Sequence, residues 1–390
     1  MKKQLRKICA VTGSRAEYGL LKSLFRAIAD DAALTLQIVV TGMHLSPEFG
    51  LTYKEILADG FQIDANVEML LSGDSNVAVA KSTGLGVISF ADAFDRLQPD
   101  LLLLPGDRFE IFSAAQAGLI MKIPIAHLFG GDTTEGAFDE AIRHSLTKMA
   151  HIHFVTNEES AARVRQLGED PASVHVVGTP ALDQIRSLNL MNREELAADL
   201  GFAFRKQNMI VTFHPVTLAS QSSDDQFQAL LDSLAELDDM GIIFTKPNSD
   251  PEGRKLIEIL ESFAENRNNV AVYGSLGYLR YLSALAVVDV VVGNSSSGLY
   301  EAPSFGIPTV NIGDRQKGRL QSTSVINSEP EKCAILNAIE KALATDCSAT
   351  VNPYGDGHAI PRIVEAIKAL DISRGLLAKK FHWTSDMSAD

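Results

Sequence analysis

Two polar clusters interrupt an apolar pattern at points where chemistry is possible. Gly106-Asp107-Arg108-Phe109-Glu110 follows the run Leu101 to Leu104, and Gly293-Asn294-Ser295-Ser296-Ser297-Gly298 follows Val287 to Val292. The first sets carboxylates and a guanidinium where an apolar segment stops; the second offers N–H and O–H donors suited to a diphosphate. A third cluster, Gly130-Gly131-Asp132, follows Ile125 to Phe129, and Asp139-Glu140-Ala141-Ile142-Arg143-His144 comes soon after. Asp107, Asp132 and Asp139 at neighbouring strand ends suit proton transfer at carbon, because crowded like charges raise at least one pKa toward neutrality. Structural roles are also open from the residues alone, and Glu140 is read as part of a helical ion pair. Asp107 can cap the next helix, Asp139 and Arg143 share a helix face as an ion pair, and the three serines can cap a helix.

Further polar groups stand at other strand ends. Thr12-Gly13-Ser14-Arg15-Ala16-Glu17-Tyr18-Gly19 places a glycine-bearing turn at a helix amino terminus, where N–H groups, the dipole and Arg15 favour an anion. The turn is not Gly-x-Gly-x-x-Gly, so a nicotinamide dinucleotide is not indicated. His44 ends Val40-Thr41-Gly42-Met43-His44, and His214 lies in Phe213-His214-Pro215, placed to protonate or hydrogen-bond a leaving phosphate. Glu301 follows the serine cluster by one turn and can accept from ribose hydroxyls; Gly313-Asp314-Arg315 closes the series. Ser296 is not in a Gly-x-Ser-x-Gly elbow, so a hydrolase triad is unsupported. His151 and His153 alternate on one strand without a third ligand and are taken as packing or surface residues. Trp383 is expected to pack rather than to stack on a ligand.

These groups need a scaffold of alternating strands and helices. Strands are expected at Ile8 to Thr12, Leu36 to Val40, Phe61 to Val67, Leu101 to Leu104, Ile125 to Phe129, Ile152 to Val155 and His175 to Val177. A second series runs through Met209 to Phe213, Ile242 to Phe244, Val270 to Tyr273, Val287 to Val292 and Thr309 to Ile312. Repeated β–α order implies parallel sheets covered by helices on both faces, and two such sheets imply a central cleft. The expected fold class is α/β, two Rossmann-like parallel-sheet domains. The expected boundaries are residues 1–183 for the domain with the acids and 184–365 for the nucleotide-binding domain. Residues 366–390 form a helix and tail able to pack back on the first.

The chain has 390 residues, beyond the roughly 250–300 at which a single core stops growing. Its 46% hydrophobic content and mean hydropathy of +0.05 suffice for two cores. No apolar stretch of the roughly 20 residues that a spanning helix needs is expected. The amino-terminal basic residues lead straight into a strand rather than a signal sequence, so a cytoplasmic protein is expected. A net charge of −14 disfavours nucleic-acid or anionic-membrane partners. Cys9, Cys333 and Cys347 are few and scattered, which argues against a disulfide framework or a zinc site.

Taken together, the blocks Thr12 to Gly19, Val40 to His44, Gly106 to Arg108, Asp139 to Ser145, Phe213 to Pro215, Gly293 to Ser296 with Glu301, and Gly313 to Gln316 resemble the hydrolysing UDP-N-acetylglucosamine 2-epimerases of sialic-acid biosynthesis. They occur in the family's order and span Thr12 to Arg319. The resemblance implies a GT-B-like architecture with a UDP-sugar substrate held mainly by the second domain. It implies UDP contacts at Arg15, His214, Ser295, Ser296, Glu301 and Arg315, and an acid–base set of Asp107, Asp132 and Asp139 assisted by His214. His44, Arg108, Glu135, Arg143 and His144 complete the substrate-binding set. The family commonly has Gly-Gly-Glu where this chain has Gly130-Gly131-Asp132; Asp is one methylene shorter, and Glu135 can share its task.

The reaction so implied removes the proton at sugar carbon 2 as UDP leaves carbon 1, then adds water at carbon 1 and a proton to the opposite face of carbon 2. It converts UDP-N-acetylglucosamine to N-acetylmannosamine for nonulosonic acid synthesis and needs no redox cofactor or obligatory metal. Domain closure would exclude water. The alternatives are a hydrolysing 2-epimerase of UDP-2,4-diacetamido-2,4,6-trideoxyglucose (legionaminic acid type), a non-hydrolysing 2-epimerase, a GT-B glycosyltransferase and a non-catalytic UDP-sugar sensor. The family resemblance further implies a homodimer or homotetramer.

Overall fold

Continuous apolar strands are stable only where both faces of a sheet are covered, and Leu101 to Leu104 are fully buried here. The computed structural model describes residues 5–71, 75–133, 138–215, 222–246, 251–265, 267–372 and 374–383. It divides the chain into two compact units, Met1–Gln184 with Tyr354–Asp390, and Ile185–Pro353. The first unit contains strands β1 (Arg6–Thr12), β2 (Leu34–Thr41), β3 (Ala65–Val67), β4 (Leu101–Pro105), β5 (Ile125–Leu128), β6 (Ile152–Val155) and β7 (Val174–Val176). They form one parallel sheet in the order β3-β2-β1-β4-β5-β6-β7. The second unit contains β8 (Gln207–Thr212), β9 (Met240–Thr245), β10 (Val270–Tyr273), β11 (Val290–Gly293), β12 (Thr309–Ile312) and β13 (Val325–Ser328), ordered β10-β9-β8-β11-β12-β13.

Each sheet changes its direction of growth beside its first strand, between β1 and β4 and between β8 and β11. The carboxyl edge at such a switch point is where open α/β sheets accept ligands. Each strand expected from the sequence overlaps an observed one, with ends that differ by a few residues. β13 was not anticipated: it is a short edge strand with only Val325 and Ile326 apolar, and its pairing with β12 defines it.

The helix Arg15–Asp30 shows how the cores form. Tyr18, Leu21, Leu24, Phe25 and Ile28 recur at three- and four-residue steps and bury one face against the first sheet. The helix Ala359–Ala369 adds Ile363, Val364 and Ile367 to that same cluster. Beyond it, Lys379 Nζ donates to the Lys148 carbonyl at 2.8 Å and pairs with Glu169 at 2.7 Å. Lys148 stands in the last turn of the helix Asp139–Met149, so Lys379 caps one of that helix's orphan carbonyls. Trp383 lies edge-on to Phe381, with 5.0 Å between ring centroids.

One expectation is corrected. The helix Asn76–Leu97 is 22 residues long and apolar enough, by length and composition, to cross a membrane. Its charges cluster near the ends, at Lys81 and from Asp92 onward, leaving a long uncharged middle. Phe90, Ala93 and Phe94 bury one side of it in the first unit's second apolar cluster.

Backbone geometry at the second switch point admits only glycine. Gly293 has φ +132°, and a Cβ there would lie 2.0 Å from the Thr212 carbonyl oxygen. Gly293→Ala is therefore expected to destabilise the protein by at least about 3 kcal/mol in urea unfolding; a loss below about 1 kcal/mol would contradict this account.

Candidate active site at two strand edges

In the first unit the sheet edge is organised around Arg143. Its helix begins at Asp139, and its guanidinium donates to the Asp107 carboxylate, to the Asp132 carbonyl at 2.8 Å and to Glu140 at 3.0 Å. Arg143 is thus engaged with Asp107 and Glu140, and the simple helical pair with Asp139 open from the sequence is not what forms. Nor does Asp107 cap the next helix, Phe109–Ile120; its N-cap is Arg108, without a side-chain bond. Asp132 Oδ1 accepts from Thr156 Oγ1 at 3.0 Å and Ser160 Oγ at 2.6 Å, so hydroxyls after β6 hold the shorter acid. Gly131 before it has φ +79°, and a Cβ would meet the Ser160 carbonyl at 2.2 Å. His144 bonds Glu140 through Nε2 at 3.1 Å. Asp139 is half-buried at the start of the same helix. Glu135 lies outside the described residues.

The ends of β1, β2 and β4 interlock beside these acids. His44 is fully buried, its Nε2 at 3.1 Å from Thr12 Oγ1 and its Nδ1 at 2.8 Å from Thr52 Oγ1. Burial holds it down at about 4, so the ring is neutral at pH 7. Arg108 forks onto the fully buried Glu110 at 2.9 and 3.2 Å. Gly42 leaves room for that acid: a Cβ there would sit 2.8 Å from Glu110 Oε1. In the Thr12–Arg15 turn, the Gly13 N–H is already bonded to Glu17 Oε2 at 2.6 Å, and Ser14 Oγ accepts from Glu17 N. Arg15 is exposed and pairs with Glu55 at 3.0 Å.

In the second unit one residue, Asn294, joins three strand ends through its side-chain amide and its main-chain carbonyl. Asn294 Oδ1 accepts from His214 N at 2.7 Å, and Asn294 Nδ2 donates to the His214 carbonyl at 2.8 Å. The Asn294 carbonyl in turn accepts from Arg315 Nη1 at 3.0 Å and Gln316 Nε2 at 2.8 Å. The edge thereby gathers His214 after β8, the serines after β11 and Arg315 after β12. Ser296 is the N-cap of the helix Ser297–Tyr300 but makes no side-chain capping bond, while Ser295 Oγ accepts from Ser297 N at 3.4 Å. Helix capping therefore does not engage the Ser296 hydroxyl. Glu301 follows this helix, and burial pushes its carboxyl up to about 7 against the Ser297 hydrogen bond. Tyr281 supports the turn, donating to Ser297 Oγ at 2.7 Å.

Four residues that hold these edges were not singled out from the sequence. Asn294 reads there as part of a phosphate loop and Glu110 as a first-turn helix acid. Glu17 reads as the third residue of a capped helix. His127 lies inside an apolar strand, yet its Nε2 donates to the Gly106 carbonyl at 2.7 Å and fixes the turn before Asp107. A polar residue inside an otherwise apolar strand is the one signal that could have pointed to it.

A family model described as UDP-N-acetylglucosamine 2-epimerase matches residues 26–368. The chain belongs to this family. A Campylobacter jejuni member, GDP/UDP-N,N'-diacetylbacillosamine 2-epimerase (hydrolyzing), is 42% identical over 325 residues, 83% of this chain and 84% of that protein. The UDP-N,N'-diacetylbacillosamine 2-epimerase (hydrolyzing) of Legionella pneumophila is 35% identical over 375 residues, 96% and 99% of the two chains. The crystal structure of UDP-GlcNAc 2-epimerase from Neisseria meningitidis, bound to UDP-GlcNAc, superposes with a TM-score of 0.75 at 18% identity, covering 93% of this chain and 99% of that one. The family's two-sheet, GT-B-like fold is the fold of this chain.

Two measurements check the local chemistry. Asn294→Ala removes both amide bonds to His214 and should cost about 1–3 kcal/mol in urea unfolding; an unchanged stability would mean the amide does not join the strand ends. Burial holds His127 down at about 4, against an ordinary value of 6.5. Between these values the unfolded chain binds more protons, so this contribution to stability rises with pH and is lost as pH falls from 6.5 toward 4. Replacing His127 by Gln removes that penalty, so the stability gap between wild type and His127→Gln should narrow as pH falls from 6.5 to 4.5. A constant gap would show that His127 takes up its proton as readily in the folded protein as in the unfolded chain.

Proposed function

We propose that this chain is a hydrolysing 2-epimerase of a UDP-activated 2-acetamido sugar. The observation that carries the proposal is the Arg143 hub, which bonds the Asp107 carboxylate and the Asp132 carbonyl and belongs to the helix that opens with Asp139. A carboxylate in a fixed ion pair is a positioned base. In the first step Asp107 or Asp139 takes the proton from sugar carbon 2, the electron pair forms the C1–C2 double bond, and the C1–O bond breaks to release UDP. In the second, water adds its oxygen to carbon 1, its proton goes to a carboxylate, and a carboxylic acid returns a proton to the opposite face of carbon 2.

The second unit's edge takes the uridine diphosphate. Ser295 and Ser296 serve the phosphates, Glu301 the ribose, and His214, Arg315 and Arg15 the charge that develops on the leaving group. His44, neutral and locked between two threonines, shapes the sugar side rather than moving protons. The relatives at 42% and 35% identity carry names for N,N'-diacetylbacillosamine epimerases, and this favours the 2,4-diacetamido-2,4,6-trideoxy sugar as substrate. UDP-N-acetylglucosamine, giving N-acetylmannosamine, is the second reading, favoured by the family description. Either product is a precursor class for nonulosonic acids. A cytoplasmic homodimer or homotetramer accompanies this reading.

Incubation of the purified protein with each nucleotide sugar should release UDP and a free 2-epimerised sugar, faster from the diacetamido substrate. In deuterated water the product should carry deuterium at carbon 2. Product without deuterium, or intact UDP-sugar as the only epimer, would exclude the proposed route. Asp107→Asn should lower kcat by about 10²–10⁴ while UDP still binds; unchanged turnover would remove Asp107 from the reacting groups.

A further inference from the structure

The turn after β1 holds a carboxyl group that the reaction above does not use. Glu17 Oε2 accepts the Gly13 N–H, but Glu17 Oε1 is enclosed and has no hydrogen-bond partner among the described residues. A helix-capping role accounts for the first oxygen and leaves the second unexplained. The groups that face Glu17 do not neutralise it. A Cβ on Gly13 would stand 3.5 Å from both Glu17 Oε2 and Glu110 Cβ, so the nearest acid is one glycine away. Arg108, a cation whose charge acts on Glu17, already forks onto Glu110. His44 from the end of β2 is neutral, and Arg15 on the same helix is turned to Glu55.

A carboxylate oxygen without a donor and away from water is a costly place for negative charge. Burial, and after it the Glu110 charge, push Glu17 up to about 7, against the lowering effect of the Gly13 bond and of Arg108. A phosphate approaching the amino end of the helix Arg15–Asp30 meets the same field. Ionised Glu17 repels it, whereas neutral Glu17 leaves the helix dipole and Arg15 to attract it.

We propose that Glu17 couples capture of an anion by the Thr12–Arg15 turn to uptake of one proton. The inference rests on the reading that the diphosphate of a UDP-sugar reaches this turn. Glu17 is a positioning residue for charge: its proton enters on binding and leaves on release, without passing to the sugar.

The test is the affinity of the full chain for UDP between pH 6 and 9, for wild type, Glu17→Gln and Glu110→Gln. Calorimetry in buffers of low and high ionisation enthalpy counts the protons taken up. Glu17→Gln keeps an acceptor for the Gly13 N–H and removes the titration. Wild type should lose about tenfold or more affinity between pH 7 and 9 relative to Glu17→Gln, and should take up to one more proton per UDP. Removing the Glu110 charge should shift the wild-type midpoint to lower pH, a result that stands even if Glu17→Gln does not fold. Parallel affinity curves for wild type and Glu17→Gln, or a midpoint unmoved by Glu110→Gln, would overturn the inference while leaving the proposed function intact. Failure of wild type to bind UDP at any pH would overturn both.

Discussion

A parallel sheet brings the last peptide groups of every strand to one edge, and those groups must find partners. Much of the candidate site follows from how this chain meets that demand. Arg143 bonds the Asp132 carbonyl, His127 bonds the Gly106 carbonyl, and Asn294 bonds both backbone groups of His214. Each of these partners also fixes a side chain able to do chemistry. The acids and donors are therefore placed by the same hydrogen bonds that close the strand ends, which is how first-contact groups gain precision without strained loops.

The two edges use this principle with opposite electrostatics. The first unit's edge is rich in carboxylates and pairs them with Arg108 and Arg143, so negative charge is kept but pinned. The second unit's edge has Arg315, N–H groups and hydroxyls, with Glu301 as its buried acid. For a chain whose net charge is −14, local placement of cations is the means by which an anionic ligand can be attracted at all.

The scaffold was largely legible in the sequence, because a strand buried on both faces must be a short continuous apolar run and twelve such runs stand out. β13 was not legible, since an edge strand needs little apolar surface and Val325-Ile326 looks like any loop pair. At the site, the residue types at strand ends could be read, but their pairings could not. The Arg143–Asp107 bond depends on a helix after β5 reaching back to the end of β4, a relation absent from the local spacing, which shows only Asp139 four residues before Arg143. Glu17 and Glu110 look like ordinary first-turn acids until the sheet order sets their turns side by side. Asn294 sits in a motif that suggests phosphate, while its side chain is committed to backbone.

The first unit is discontinuous in sequence, and this has a consequence for how the protein comes into being. One of its apolar clusters needs Ile363, Val364 and Ile367, which follow the whole second unit in sequence, and Lys379 then seals the helix Asp139–Met149. On the ribosome these residues emerge only after all of Ile185–Pro353. The usual vectorial order, amino-terminal body first, is thus reversed for completion. The second body can mature while the first waits, that apolar cluster still open, until the helix Ala359–Ala369 has emerged.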